Sequence, residues 1–184
     1  MMKRLKFNIF FFYFFSIFFS NTIYVPEDFS SIQLAINNSN SGDTVIVNPG
    51  LYIENLIISE GSINLISSSG AENTIIDGGF NSSVINVDSF SDSILVRGFT
   101  IQNGIGHNIQ NESNIRYGGG IISHNTILNL DSLIITNNES FAGGGICLYA
   151  MGLSETKSFI SNSKIHNNLS SEGGGVFIIH QSLD

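Results

Sequence analysis

From Val45 onward, short apolar runs rich in Ile and Val alternate with breaks made of Gly, Asn and Ser. Val45-Ile46-Val47, Ile63-Asn64-Leu65-Ile66 and Val84-Ile85-Asn86-Val87 form one series. Leu56-Ile57-Ile58, Thr74-Ile75-Ile76 and Ile94-Leu95-Val96 form a second, staggered against it, with members about twenty residues apart. Apolar runs this short, bounded by turn formers, predict strands rather than helices. Two staggered series predict at least two strands per turn of a coil, with alternate side chains pointing inward.

Further along, one unit is written three times: Gly118-Gly119-Gly120-Ile121-Ile122, Gly143-Gly144-Gly145-Ile146-Cys147 and Gly173-Gly174-Gly175-Val176-Phe177. Upstream of each triplet a strand-like run ends in asparagine, at Asn103, Asn137 and Asn167. Repeats of this length indicate a solenoid whose units bury their apolar sides against their neighbours. The expected fold is therefore all-β, a parallel β-helix. Its glycine triplets let corners pack closely, and Asn103, Asn137 and Asn167 form a ladder of mutually bonded amides.

The segment 23–42 predicts an N-terminal strand and a capping helix. Ile23-Tyr24-Val25 is closed by Pro26. Ser30 and Gln33 stand at capping-box spacing, with Phe29 and Leu34 placed as a hydrophobic staple. Phe29, Ile32, Ala35 and Ile36 then share one helical face, which a solenoid needs to cover its first rung. The rungs are expected over 43–184.

Residues 1–22 predict an export signal. Lys3, Arg4 and Lys6 precede the apolar run Phe7 to Phe19. A helix of that length reaches about 20 Å at roughly 1.5 Å per residue, short of a hydrocarbon layer about 30 Å thick. A signal peptide fits better than an anchor, although Ser20-Asn21-Thr22 matches a cleavage site loosely.

Charge narrows the partners. The seven basic residues include those three at the start, which leaves four against fifteen acidic ones in the rest of the chain. Nucleic acid and anionic lipid are disfavoured, since both need Lys and Arg to neutralise phosphate. Membrane contact is expected only through the signal peptide or a C-terminal anchor. The single cysteine, Cys147, cannot pair within the chain and reads as a small apolar residue in a strand.

Val25-Pro26, Phe29-Ser30-Ser31-Ile32-Gln33, Ala35-Ile36, Gly42-Asp43-Thr44-Val45 and Pro49-Gly50-x-Tyr52-x-Glu54-Asn55 resemble the opening of secreted right-handed parallel β-helix proteins of the pectate lyase and pectinesterase superfamily. The Gly-Gly-Gly-Ile units are similar to repeats of polymorphic outer-membrane proteins and other bacterial surface β-helix proteins. The resemblance implies a right-handed parallel β-helix and a place outside the cell. It does not bring the enzymes' chemistry. The pectinesterase motifs Gln-Asp-Thr-Leu, Asp-Phe-Ile-Phe-Gly and Leu-Gly-Arg-Pro-Trp are missing, and the chain has no tryptophan. The basic residue that pectate lyases use for proton removal has as candidates Arg97, Arg116, Lys157 and Lys164, none in a recognisable motif. Arg97, beside a strand, is the best placed, against an outward-facing solvated arginine.

The remaining polar residues imply no cofactor or metal. Asp77, Asp88 and Asp92 near corners could offer oxygens to Ca²⁺, but read better as turn residues bonding their own backbone. His107, His124, His166 and His180 lack metal-ligand spacing, and His124 and His180 follow the triplets by unequal offsets, so they need not stack. The insertions Gly104 to Arg116 and Ala150 to Phe159 are the regions where binding is expected, with Tyr117, Tyr149 and His107 able to hold a sugar ring. Asp184 follows a rung with no closing element, so a longer chain is expected. The functional expectation is an exported or surface scaffold that binds polysaccharide or cell-surface glycan without catalysis. The alternative is a polysaccharide lyase, esterase or epimerase whose catalytic rungs lie beyond Asp184.

Overall fold

The computed structural model describes residues 20–59, 61–88, 93–108, 115–151 and 157–181. Most of the expected leader lies outside the described residues, and β1 (Thr22–Val25) starts at its last position. A helix, α1 (Ile32–Asn37), follows. The chain then coils through β2 (Thr44–Val47), β3 (Gly50–Ile53) and β4 (Leu56–Ile58), and again through β5 (Asn64–Ser67), β6 (Thr74–Asp77) and β7 (Ile85–Val87). The third turn is β8 (Ser93–Arg97), β9 (Thr100–Gln102) and β10 (Ile121–His124). The fourth is β11 (Ile127–Asp131), β12 (Ile134–Thr136), β13 (Glu139–Ala142) and β14 (Ile146–Met151). The fifth is β15 (Phe159–Ser161), β16 (Lys164–His166), β17 (Leu169–Glu172) and β18 (Val176–Gln181).

Equivalent strands of successive turns pair in parallel. The first sheet is β1-β2-β5-β8-β11-β15, the second β3-β6-β9-β12-β16, the third β4-β7-β10-β14-β18, and a two-stranded fourth joins β13 to β17. This is a parallel β-helix with three strands per turn and a fourth in its last two turns.

Register turns the apolar runs into columns. Ile23, Val45, Leu65, Val96 and Leu130 are successive partners in the first sheet, and all are buried. Ile76, Ile101 and Ile135 do the same in the second sheet, as Leu56, Ile85, Ile121 and Ile146 do in the third. Each such side chain contributes about 1.5–3 kcal/mol on burial, and the columns merge into one core.

The twenty-residue comb holds for one step, Thr44 to Asn64, and then fails. Asn64 pairs with Leu95 and Ser93 with Ile127, steps of 31 and 34 residues, while Ile75 pairs with Thr100 and Ile121 with Ile146, steps of 25, so the step varies along the coil. The second series, moreover, mixes sheets, since β4, β6 and β8 belong to the third, second and first respectively. Three short strands per turn give closely spaced apolar runs, so a comb of one spacing picks strands from different sheets.

The corners correct the asparagine ladder by one position. Asn103, Asn137 and Asn167 turn the chain in the left-handed region, at φ 59°, 56° and 56°. The bonded amides belong to the next residue: Asn138 Nδ2 donates to Asn168 Oδ1 at 3.0 Å. The glycine triplets do stack as expected. Gly119 N donates to Gly143 O and Gly120 N to Gly144 O, both at 3.1 Å, and Gly145 N donates to Gly174 O at 3.0 Å.

The helix start is also displaced. Its N-cap is Ser31, whose Oγ accepts from Leu34 N at 3.2 Å, and Leu34 is exposed rather than stapled to Phe29. Gln33 instead pairs with the free edge of β4, accepting from Ile57 N at 2.7 Å and donating to Ile57 O at 3.0 Å. The Glu54 carboxylate accepts from Ile32 N and Gln33 N, the open amides of the first helical turn. Ile32, Ala35 and Ile36 are buried as the pattern required, and α1 packs on β1, β2 and β4.

Candidate functional site

In the third sheet, Ile121, Ile146 and Leu148 point into the core, so Ile122, His124, Cys147 and Tyr149 face away from it. Yet Ile122 and Cys147 are fully buried. The outer face of this sheet is thus covered at its centre, and polar groups collect around the covered part.

His124 pairs in register with Tyr149, and their rings lie 5.6 Å apart at 45°. Asn86 is the partner of Ile122, one turn earlier on the same face. Two atoms here, Asn86 Oδ1 and His124 Nε2, are buried and have no hydrogen-bond partner. Buried polar atoms in native proteins are nearly always paired, so each exception marks a group of interest. Burial holds the His124 imidazole below the usual histidine range, with Asp88 pulling it up and His107 pushing it down. The Cys147 thiol is pushed up to about 12 by burial, so it is no nucleophile.

The residues expected to hold a ligand meet in part. His107 and Tyr117 exchange N–H to O=C bonds at 2.9 Å in both directions, closing the base of the first insertion. Ser82 Oγ and His107 Nδ1 lie 3.5 Å apart. Tyr149 lies in β14 itself, against His124. Residues 109–114 and 152–156, the middle of both insertions, lie outside the described residues.

The other candidates are scattered. Arg97 is exposed on the outer face of the first sheet, in register with Asp131. The Asp131 carboxyl lies below the usual range through bonds from Asn162 and Ser161, helped by the Arg97 charge. Arg116 donates to Asn81 O at 3.4 Å, while Lys157 and Lys164 are exposed in the last turn. Among the described residues, no group of three His, Cys, Asp or Glu side chains is placed to hold a metal ion.

Asp77 acts as a corner residue, its carboxylate accepting from Gly79 N at 2.9 Å, Gln102 Nε2 at 2.8 Å and Asn103 Nδ2 at 2.7 Å. Burial pushes the group up, but those bonds outweigh it and the net shift is downward. Asp88 is exposed next to His124, and Asp92 lies outside the described residues. His180 is in register with Ala150, whereas the His124 column continues through Tyr149 to Ile179. Thr136 Oγ1 and His166 Nδ1 lie 3.3 Å apart on the second sheet.

Sequence reasoning missed Asn86 and His124 as a pair. The sign available was that Asn86 interrupts the apolar run Val84 to Val87 and that His124 follows Ile122 by two positions, each on the outward side of its strand. No family model, no curated protein and no solved structure matches this chain.

Proposed function

We propose that this chain is an exported or cell-surface right-handed parallel β-helix of the pectin lyase-like kind, serving as a non-catalytic adhesion or glycan-binding scaffold. Right-handed winding follows the strong preference of parallel crossover connections. The observation that carries the binding is the outer face of the third sheet, where Asn86 Oδ1 and His124 Nε2 lack hydrogen-bond partners. A sugar offers hydroxyls that donate and accept, the groups these two atoms call for. The acidic chain favours neutral glycans over uronates.

The test is retention of the folded protein on neutral and uronate oligosaccharide arrays, repeated with Asn86→Ala and His124→Ala. Binding to neutral glycans that both substitutions weaken about tenfold, a loss near 1.4 kcal/mol, supports the proposal. Retention unchanged by both substitutions removes this face, and release of unsaturated products from uronate polymers would replace the scaffold with a lyase. Export is tested separately, by fractionating cells that express the full coding sequence and probing the medium and surface.

A further inference from the structure

At the corner between the second and third sheets, Phe80 combines two features that are each unfavourable. Its backbone is left-handed at φ 54°, directly after Gly79 at φ 59°. Asn81 N donates to Gly78 O at 3.2 Å, closing a turn whose two central residues both have positive φ, the type I′ pattern. Gly, Asn and Asp dominate such positions, and a bulky side chain there is an outlier. The residue, moreover, is 64% exposed, so burial does not offset the strain. The turn is held by Phe80 N donating to Asn103 O at 2.8 Å. Strain retained at a solvent-facing aromatic ring points to a use for the ring itself.

The surroundings suit one class of ligand. Ile53, 70% exposed, stands beside the turn: a Cβ built on Gly79 would lie 3.4 Å from its Cγ2. Asn81 is exposed, its amide donating to Asn55 Oδ1 at 3.3 Å and its carbonyl accepting from Arg116 Nη1 at 3.4 Å. Asn81, the next residue after Phe80, brings a planar amide to the turn and, through its carbonyl, the Arg116 guanidinium, and the Asp77 carboxylate bonded to Gly79 N repels anions. We propose that the Phe80 corner is a subsite for a neutral sugar ring. The apolar face of the sugar stacks on the phenyl ring, and its hydroxyls bond Asn81 and Arg116. The ligand class rests on the glycan reading above, while the site itself is separate from the third-sheet face.

The discriminating experiment substitutes residues suited to the left-handed turn, Phe80→Asn and Phe80→Gly, and measures both thermal stability and cellotetraose binding by NMR titration. Relief of strain is expected to raise Tm by about 2–4 °C, while binding falls about tenfold and Phe80→Tyr retains it. A fall in Tm in both variants would assign the ring to packing and overturn the proposal. Unchanged cellotetraose affinity would remove this subsite and leave the glycan reading standing. A wild-type protein that binds no neutral oligosaccharide would remove both.

Discussion

Asn138 and Asn168 are linked across one turn of the coil, the Nδ2 of the first donating to the Oδ1 of the second at 3.0 Å. Asn138 is the better anchored. Its Oδ1 accepts from Gly104 N at 2.9 Å and its Nδ2 also donates to Ile101 O at 3.1 Å, so one amide ties three turns together. Asn138→Ala leaves buried backbone groups without partners and is expected to cost about 2–4 kcal/mol. Asn137→Gly, next door, keeps the left-handed corner and should change stability by less than about 1 kcal/mol. Urea unfolding of the two variants checks this; equal losses would return the ladder to the Asn137 column.

The coil itself was legible because burial acts on every second residue of a strand, which writes Ile and Val runs such as Val45 to Val47 directly into the sequence. What fails is whatever depends on register. In Asn137-Asn138 either residue could turn the corner, and only the path of the chain puts Asn137 at positive φ and the Asn138 amide between turns. His124 meets Tyr149 because twenty-five residues separate them, the step from the Gly118 triplet to the Gly143 triplet, so this pairing could have been read from the repeat and was passed over. Phe80 went unnoticed for the opposite reason, since residue preference argues against a phenylalanine in that turn.

Close approach of backbones sets the tolerance of the triplets. A Cβ on Gly119 would lie 2.4 Å from Gly144 O, and one on Gly145 would lie 2.5 Å from Gly175 O. On Gly175 the nearest atom is Ile165 Cγ2, at 3.7 Å. Gly119→Ala and Gly145→Ala must push neighbouring turns apart, losing core contacts and ladder bonds, and are expected to cost about 3 kcal/mol or more. Gly175→Ala is expected to stay within about 1 kcal/mol. Thermal melts of the three variants test the contrast, which vanishes if the triplets are needed for flexibility alone.

Acid sensitivity should come through His124. Its folded pKa is depressed below 6.5 by burial, so the unfolded chain takes up a proton at pH values where the folded one does not. The contribution is fully present above 6.5 and is lost as pH falls through that value toward the folded pKa. Asp43 and Asp77 are shifted down from 3.8, so their contributions persist above that value and fade only in stronger acid. Unfolding free energy measured from pH 7.5 to 5.5 should fall, and His124→Phe should flatten the slope. An equal slope in that variant would assign the sensitivity elsewhere.

Cys147 provides a probe of how tightly the third sheet is covered. Its side chain is inaccessible, and burial raises the thiol to about 12, so at pH 8 both contact and ionisation oppose reaction. Modification by a disulfide reagent should therefore be slow in the folded protein and complete within minutes in denaturant. Because reaction then requires opening, its rate should rise in Gly145→Ala, whose added methyl disturbs the corner immediately before β14, in proportion to the stability lost. Reaction of the native protein at the denatured rate would mean that the outer face of the third sheet is open, and would withdraw the burial assigned to Asn86 Oδ1 and His124 Nε2 along with it.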